Sequence, residues 1–226
     1  MKFRLLLEET ISEFNNFDNI EKNPEIVRDH SLDNIHHETS AYTINSNLIN
    51  KKLWDDKIYR DLDKSSIESV KQINNNLDTA KNASFNFNVF SGVRRDPQEL
   101  VKNSNGILHH SAFLSTSAEP DAALSFTKPV KDVDGNPIHH ILNITVKKGQ
   151  KVGAYIGHHS LNPGEKEFLV KANQVMRIYP NPTDYIDKTG KKVRVHNVSI
   201  LDNDEINNNK EHPEIQSKLN FDKRLY

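Results

Sequence analysis

The chain has 226 residues, enough for one substantial domain or for a domain with an extension, and its 35% hydrophobic and 27% charged residues are typical of a soluble globular protein. Its 30 Lys and Arg residues balance 31 Asp and Glu residues. This balance excludes recognition of nucleic acid or membrane through bulk charge, although it leaves local patches open. The absence of cysteine excludes disulfide and thiol chemistry. No apolar run approaches the roughly 18 residues that a membrane span requires.

The first part of the chain is predicted to be helical. Residues 1–15 have the spacing of a short amphipathic helix, and residues 16–35, rich in Asn and Asp, are predicted to be a linker. A longer helix is predicted over residues 36–54, where apolar residues recur near helical spacing. Another is predicted to start at Ser65, with Glu68 completing a capping box.

Short strands are predicted to follow these helices. Phe85, Phe87 and Val89 alternate with polar residues, which indicates a half-buried strand. Asp96 followed by Pro97 predicts the N-cap and first turn of a short helix. The other predicted elements are strands near residues 112–117, 138–146, 152–156, 167–170, 175–179 and 193–201, a short helix from residue 120, and an Asp-Gly turn within residues 132–137.

Two helices followed by many short strands favour an α+β fold with a mostly antiparallel or mixed sheet. The main domain is predicted to span residues 36–202, after an N-terminal helix and linker over residues 1–35. Residues 203–226 are predicted to form a loose polar tail, apart from a short stretch near Leu219.

Two glutamates after a Pro-Gly turn are the first candidates for chemistry. Glu165 and Glu167 lie in the segment Asn-Pro-Gly-Glu-Lys-Glu-Phe-Leu-Val, and period two predicts both on one strand face, with Lys166 on the other. Such a pair suits a reaction that develops positive charge. One carboxylate can stabilise the cation while the other positions or deprotonates a nucleophile. For this segment alone, two solvated acids at a strand start are the better explanation.

Two further segments give the glutamates a context. Residues 89–95 are Val-Phe-Ser-Gly-Val-Arg-Arg, and residues 113–117 are Phe-Leu-Ser-Thr-Ser. In this order the three segments resemble the mono-ADP-ribosyltransferases of the Arg, Ser-Thr-Ser, Glu-x-Glu class over roughly residues 41–179. In style they resemble the T-even-type bacteriophage enzymes that modify host proteins. The resemblance implies NAD as the substrate, and N-terminal helices packed on two small, mostly antiparallel sheets that form an NAD cleft.

The resemblance also implies roles for the glutamates and for the Ser-Thr-Ser segment. Glu167 would stabilise the oxocarbenium-like state that forms when the nicotinamide–ribose bond breaks, and Glu165 would activate the acceptor. Glutamate rather than glutamine at position 165 resembles the arginine-modifying subgroup, since a carboxylate pairs well with a guanidinium. Ser115 would fix Glu167 by a hydrogen bond, while Thr116 and Ser117 would line the ribose and support the strand.

One position departs from the pattern of the class. The arginine of the class stands directly before the glycine of the first strand, where this chain has Ser91 before Gly92. We therefore expect Arg94 to bind the NAD pyrophosphate near Gly92, with Arg95 as the alternative, because a guanidinium binds phosphate in a bidentate manner. Phe126 would pack against nicotinamide or, as the alternative, belong to the core.

Histidines occur in adjacent pairs along the sequence. Neighbouring residues on a strand face opposite ways, so each pair makes a poor chelate and no metal site is expected. The pairs are at residues 36–37, 109–110, 139–140 and 158–159.

The resemblance indicates only the class of host protein that the enzyme would modify. The loop from Gly157 to Gly164 would recognise it, through His158, His159 and Leu161. Related phage enzymes imply a host protein of the transcription or translation machinery, and some members of the group are similar to enzymes that attach NAD-capped RNA to proteins. We expect a monomer without membrane attachment.

Two other functions remain open for the same residues. An NAD glycohydrolase would use water in place of the acceptor. A non-catalytic phage internal or interaction protein that kept the fold would explain Ser91 at the usual arginine position.

The first residues resemble the head-targeting leaders of phage internal proteins, which a prohead protease trims. Leu6-Leu7-Glu8 and Ile11-Ser12-Glu13 match the loose cleavage pattern. A protein with such a leader would be packaged in the virion and injected with the DNA into the host cytoplasm. The alternative is a short surface helix docked on the catalytic domain.

Overall fold

The computed structural model describes most of the chain after residue 30. The predicted N-terminal helix, the two leader-like tripeptides and Leu219 lie outside the described residues. The described residues are 31–32, 34–35, 37–54, 64–157, 159, 163–209, 212–213 and 215–216.

Two long helices precede the strands, and shorter helices interrupt and follow them. No helix among the described residues is both long and apolar enough to cross a membrane. The helices are α1 (His37–Trp54), α2 (Lys64–Leu77), α3 (Pro97–Val101), α4 (Pro120–Ser125) and α5 (Asn203–Asn208). The strands are β1 (Phe87–Val93), β2 (Ile107–His110), β3 (Leu114–Ser117), β4 (Val130–Lys131), β5 (Pro137–Val146), β6 (Gly153–Tyr155), β7 (Glu167–Val170), β8 (Gln174–Ile178), β9 (Thr183–Ile186) and β10 (Lys192–Ile200).

The strands form a continuous path in the order β2-β8-β10-β5-β1-β3-β7-β6, with β4 paired to β5 and β9 to β10. β5 and β10 run parallel, and the other described pairs are antiparallel. β1 and β3 pair at Phe90 and Ser117. This short junction joins the larger part of the sheet to the β3-β7-β6 part. The α+β class is confirmed, and the two predicted sheets are connected through this junction.

Most predicted elements form within one or two residues of their expected bounds. The α3 N-cap at Asp96 and strand β7 are confirmed. β1 begins at Phe87 rather than Phe85, and α2 begins at Lys64, which puts Ser65 in the first turn rather than at the predicted N-cap. The sequence analysis did not predict β2, β4 or β9, because short strands rich in polar residues show no clear alternation.

α1 and α2 pack on the part of the sheet that carries the two glutamates. Tyr42 of α1 and Ile73 and Leu77 of α2 are fully buried, in one cluster with Ala154 of β6 and Leu169 of β7. The i, i+4 spacing on α2 puts its two apolar residues on one face. Burial of each large apolar side chain contributes about 1.5–3 kcal/mol. This packing fixes α1 against the strand that begins at the second glutamate.

The segment after β10 differs from the loose tail that the sequence predicts. Asp202 caps α5 and forms a reciprocal capping box with Glu205. The apolar positions here are sparse, so a search for periodicity does not find the helix, whereas its cap is visible in the sequence. Ile206 of α5 is buried with four other apolar residues: Ile107, Val175, Leu201 and Ile215.

Candidate active site

The two glutamates lie at the entrance to β7 but not on one strand face. Glu167 is the first residue of β7, whereas Glu165 ends a 3₁₀ turn. Lys166 between them has a φ of 47°, in the left-handed region, and this conformation turns the chain. The prediction that both glutamates share one face of a strand was therefore wrong. The negative charge of Glu165 is nevertheless close enough to raise the pKa of Glu167.

Glu167 is a buried carboxyl group that Ser115 orients. Its side chain is 8% exposed and accepts a hydrogen bond from Ser115 Oγ at 2.7 Å. Burial raises the pKa of Glu167, the hydrogen bond from Ser115 lowers it, and the charge of Glu165 adds a smaller upward effect. A fixed carboxylate in such a water-poor position acts more strongly on a developing cation than a solvated one does.

The other residues of the Ser-Thr-Ser segment hold the backbone around the glutamates. β3 and β7 are antiparallel, with Ser117 opposite Glu167. Ser117 Oγ donates to the Glu165 carbonyl at 2.6 Å, and Thr116 Oγ1 donates to the Phe168 carbonyl at 2.5 Å. Both hydroxyls are thus engaged with backbone carbonyls. Their expected contact with ribose stays a prediction.

Tyr42 of α1 extends the hydrogen-bond network behind Ser115. Asn50, further along α1, donates from Nδ2 to Tyr42 Oη at 2.9 Å and to the Phe113 carbonyl at 3.1 Å. Burial is the largest cause of the raised pKa of Tyr42, so its hydroxyl stays protonated. Ser115 lowers this pKa and the charge of Glu167 raises it, so the hydroxyl lies near both groups. Tyr42 therefore brings α1 close to the carboxylate and to the serine that orients it.

The sequence analysis placed this helix within the resemblance but gave Tyr42 and Asn50 no role. Their i, i+8 spacing lies near one face of a helix. A tyrosine and an asparagine on the buried face of a helix were the available signal, because buried polar groups require partners.

The arginine side of the predicted site is more open than the glutamate side. Ser91, at the usual arginine position, is buried and donates from Oγ to the Ser115 carbonyl at 3.1 Å. Arg94 and Arg95 follow the last residue of β1, Val93, and both are exposed. The structure thus gives Ser91 a structural hydrogen bond and leaves both arginines at the surface.

Gly92 allows α4 to lie directly against β1. A Cβ atom on Gly92 would stand 2.1 Å from the Ala123 carbonyl oxygen and 2.9 Å from Thr127 Cγ2, so a larger residue would displace the helix. Phe126, which precedes Thr127 and forms the C-cap of α4, is 49% exposed. The alternative that Phe126 belongs to the core is therefore wrong, because the ring lies at the exposed end of this short helix.

An ion pair connects the glutamate turn to the start of α4. Lys166 Nζ lies 2.6 Å from Glu119 Oε1, and the Lys166 side chain is 22% exposed. The Ala118 N–H donates to the Lys166 carbonyl at 3.1 Å, and the Glu119 N–H donates to Ser117 Oγ at 2.9 Å. The backbone at Glu165 and Lys166 is therefore tied to the end of β3 and to the segment before α4.

The predicted recognition loop is described only in part. His159 is exposed in a turn, and its Nε2 lies 3.1 Å from the Leu32 carbonyl oxygen. His158 and Leu161 lie outside the described residues. Contact between this loop and a target stays a prediction.

Three described members of the histidine pairs contact groups other than the histidine beside them in the sequence. His109 hydrogen-bonds Asn173 Oδ1 at 2.5 Å, and His110 Nδ1 lies 2.8 Å from a nearby carbonyl oxygen. His140 of β5 instead lies against His196 of β10, on strands that β1 and β3 separate from β7. This histidine cluster is not part of the glutamate site.

Known proteins that resemble the chain include bacterial ADP-ribosylating toxins. No curated protein matches it at a significant level. Plx2a, an ADP-ribosyltransferase toxin from Paenibacillus larvae, is 15% identical, with a TM-score of 0.53 over 89% of this chain and 98% of the toxin. The C3 exoenzyme of Clostridium limosum is 18% identical, with a TM-score of 0.54 over 84% and 97% of the two chains. The ADP-ribosyltransferase Vis, a toxin from Vibrio splendidus, is 16% identical, with a TM-score of 0.56 over 87% and 86%.

At these identities the solved structures support the fold alone. The family model described as ADP-ribosyltransferase exoenzyme matches residues 16–211, which is most of the chain. The chain therefore belongs to the ADP-ribosyltransferase exoenzyme family, whose members use NAD as the donor of ADP-ribose.

Proposed function

We propose that the protein is a mono-ADP-ribosyltransferase that moves ADP-ribose from NAD to an arginine of a host protein. The observation that supports this function most directly is the 2.7 Å hydrogen bond from Ser115 to Glu167, with the carboxylate of Glu165 on the adjoining turn. One carboxylate is buried and fixed, while the other lies two residues before the strand. This asymmetry suits two different tasks.

Glu167 is proposed to act on the bond that breaks. The bond between C1′ of the ribose and the nicotinamide nitrogen breaks, nicotinamide leaves with the electron pair, and the ribose acquires oxocarbenium character. Ionised Glu167, held in place by Ser115, stabilises that positive charge. Fixed electrostatic groups of this kind contribute about 10²–10³ in turnover.

Glu165 is proposed to act on the acceptor. A guanidine nitrogen forms the new bond to C1′, and the proton that it loses passes to the Glu165 carboxylate. Before transfer, a guanidinium and a carboxylate form a charge-assisted pair that positions the acceptor. The Vis toxin has been solved in complex with agmatine, a compound with a guanidino group. Agmatine is therefore a suitable small acceptor for testing this protein.

The remaining contacts to NAD are proposed from position and chemistry. Arg94 would bind the pyrophosphate, with Arg95 as the alternative, since both guanidinium groups are exposed just beyond β1. Phe126 would pack against nicotinamide, because an exposed aromatic ring at the end of α4 is available for stacking.

The test is a transfer assay on the full chain. The wild type and Glu167→Gln are incubated with labelled NAD, first with agmatine and then with host lysate, where mass spectrometry identifies the labelled protein. We expect a labelled adduct from the wild type. We also expect the variant to lose about 10²-fold or more in both transfer and NAD hydrolysis, with an unchanged circular dichroism spectrum.

Each other outcome has a definite meaning. Near-wild-type turnover by Glu167→Gln would overturn the assignment of this residue. Free ADP-ribose without any adduct would identify an NAD glycohydrolase, and absence of NAD binding by calorimetry would identify a non-catalytic protein with this fold. The proposed target, a transcription or translation protein in the host cytoplasm, rests on the resemblance to phage enzymes.

A further inference from the structure

Two histidines and an aspartate form a polar cluster beside the parallel β5–β10 pair. His140 of β5 is opposite Arg194 of β10, and His196 lies two residues further along β10. Side chains two residues apart on a strand share a face, so both imidazoles project from the same side of the sheet. Asp96 comes from the turn between β1 and α3 and forms the N-cap of α3.

The polar atoms of the cluster lie close enough to bind one ion. His140 Nδ1 is 2.9 Å from His196 Nε2 and 4.0 Å from Asp96 Oδ1. One ligand atom from each residue lies within 4.8 Å of the other two. The two histidines are 1% and 0% exposed, whereas the Asp96 side chain is 27% exposed. The imidazoles are therefore enclosed, and the carboxylate provides the route from solvent.

Hydrogen bonding within the protein leaves this cluster incompletely satisfied. One proton at most fits between the two facing ring nitrogens, so one neutral imidazole donates and the other accepts. The other nitrogen of His196, Nδ1, is buried and has no hydrogen-bond partner among the described residues. Buried polar atoms without partners are rare in folded proteins, and an ion bound through Nε2 would leave this nitrogen unsatisfied.

The charged groups around the cluster partly cancel. Arg194 shares the face of the two imidazoles and forms a bidentate pair with Asp184, with distances of 2.6 and 2.8 Å. Lys192 lies 3.9 Å from the same aspartate and 2.9 Å from Asp132. The cations nearest the imidazoles thus have their own carboxylate partners. The Asp96 carboxylate remains available, since its described contact is the N–H of Gln98 at 2.9 Å.

We propose that Asp96, His140 and His196 bind one divalent transition-metal ion of the zinc type. Two imidazole nitrogens and one carboxylate oxygen are a donor set that suits Zn²⁺. With metal–ligand bonds of about 2.0–2.1 Å in a tetrahedral site, ligand atoms are roughly 3.3–3.4 Å apart. The two nitrogens therefore separate by a few tenths of an ångström, whereas the partly exposed carboxylate moves inward by more, up to roughly 1.4 Å, because the three ligand atoms lie within 4.8 Å of one another. Water completes the coordination beside the carboxylate.

The ligands come from parts of the chain that are distant in sequence. The ion ties the turn after β1 to the β5–β10 pair, and in that turn Asp96 directly follows Arg94 and Arg95. The role of the proposed metal ion is thus to fix the backbone from which the two arginines project. The expectation of no metal site considered adjacent histidines only, whereas these ligands come from two strands and a helix cap. The site is separate from the glutamates and does not rest on the proposed function.

We expect this site to bind zinc less tightly than a fully supported site. When Nε2 of His196 binds the metal, the ring proton moves to Nδ1, for which the described residues offer no acceptor. The lack of such a supporting hydrogen bond typically lowers metal affinity by about 10–100-fold. Because the expected affinity is low, the test measures the Zn²⁺ affinity itself, by titration at controlled concentrations of free Zn²⁺.

Asp96→Asn tests the site without removing the helix cap, because asparagine caps helices about as well as aspartate does. Asp202→Asn is the matched control, since Asp202 caps α5 in the same way but is not a member of the cluster. The untagged full chain, stripped by a chelator, is titrated with Zn²⁺ against a chromophoric competitor. A parallel titration with Co²⁺ is followed by absorption spectroscopy. His196→Asn removes one of the nitrogen ligands.

We expect one Zn²⁺ per chain in the wild type and in Asp202→Asn, and binding weaker by about tenfold or more in Asp96→Asn and His196→Asn. The visible bands of bound Co²⁺ should appear in the wild type and be lost in the same two variants. Absence of one-to-one binding by the wild type overturns the proposal, as does unchanged affinity in Asp96→Asn. If His196→Asn fails to fold, Asp96→Asn and the wild-type Co²⁺ spectrum still decide the question.

Discussion

The glutamate side and the arginine side of the proposed NAD site are built in opposite ways. On the glutamate side, Glu167 is buried and accepts a hydrogen bond from Ser115, and the buried Tyr42 of the packed helix α1 lies nearby. On the arginine side, Arg94 and Arg95 are exposed beyond the end of β1. The comparison indicates that the group proposed to act on the reacting atoms is held in advance, whereas the groups proposed to bind phosphate are solvated.

Ser91 explains part of this difference. Its hydroxyl ties β1 to β3 through the Ser115 carbonyl, so the position where the class has its arginine serves here to support the glutamate side. The proposed phosphate contact is then made from a solvated turn, where an ion pair contributes about 0–1 kcal/mol. We therefore expect the geometry of Glu167 to dominate turnover, and the arginines to adjust NAD affinity by a smaller amount.

Glu165→Gln should have the largest of the effects considered next. The amide cannot accept the proton of the guanidine, so transfer to agmatine should fall by about 10²-fold or more. NAD hydrolysis should persist, because Glu167 and its hydrogen bond from Ser115 remain. Chromatographic analysis of both products, with Glu99→Gln of the exposed α3 as a control, measures the separation. Equal losses in the two activities, or no loss in either, would show that the two glutamates do not have separate roles.

The sequence predicts the strand of Glu167 but not the geometry of Glu165. β7 is entirely buried and apolar after its first residue, and such a run is visible in a single sequence. The positive φ of Lys166 is not visible, because lysine rarely adopts it and the conformation costs roughly 1–2 kcal/mol. The ion pair from Lys166 to Glu119 and the hydrogen bonds around it stabilise this turn. These contacts join segments that no local pattern connects.

The same reason explains why the histidine cluster was not predicted. A search of local patterns groups His140 with its sequence neighbour His139. In the structure, His140 instead contacts His196, because β5 and β10 pair in parallel. The α3 cap at Asp96 was predicted from the residues that directly follow it, since a cap is a local feature. Asp96 belongs both to this cap and to the histidine cluster because of tertiary packing. Sequence periodicity and turn chemistry do not report such packing.

Ser115→Ala should have an intermediate effect, and its pH dependence identifies the cause. The hydrogen bond from Ser115 lowers the pKa of Glu167 against the upward effect of burial. Without that bond the pKa rises, so Glu167 becomes protonated at a higher pH and the acidic limb of kcat/KM moves to higher pH. At neutral pH we expect a loss of roughly tenfold, which corresponds to one hydrogen bond to a charged group.

Two other variants provide controls for that shift. Ser117→Ala should leave the acidic limb in place, because Ser117 bonds to a backbone carbonyl rather than to the carboxylate. Glu165→Gln should move the limb of the residual NAD hydrolysis to lower pH, because the charge of Glu165 raises the pKa of Glu167. A limb that does not move in Ser115→Ala would mean that a group other than Glu167 controls the acidic side of the profile.

Arg94→Ala should have the smallest effect and tests the arginine side of the comparison. Loss of an exposed contact to the pyrophosphate removes binding that is equal in the ground and transition states, so KM for NAD should rise while kcat stays nearly constant. An exposed charge pair predicts an increase of roughly two- to fivefold, which should shrink at high salt because solvent-exposed charges are screened. Arg95→Ala is the matched control, since it removes the same charge from the next residue. A larger effect in Arg95→Ala would exchange the two assignments. A fall in kcat of either variant would show that the arginine side is as firmly positioned as the glutamate side, and the contrast between them would then be wrong.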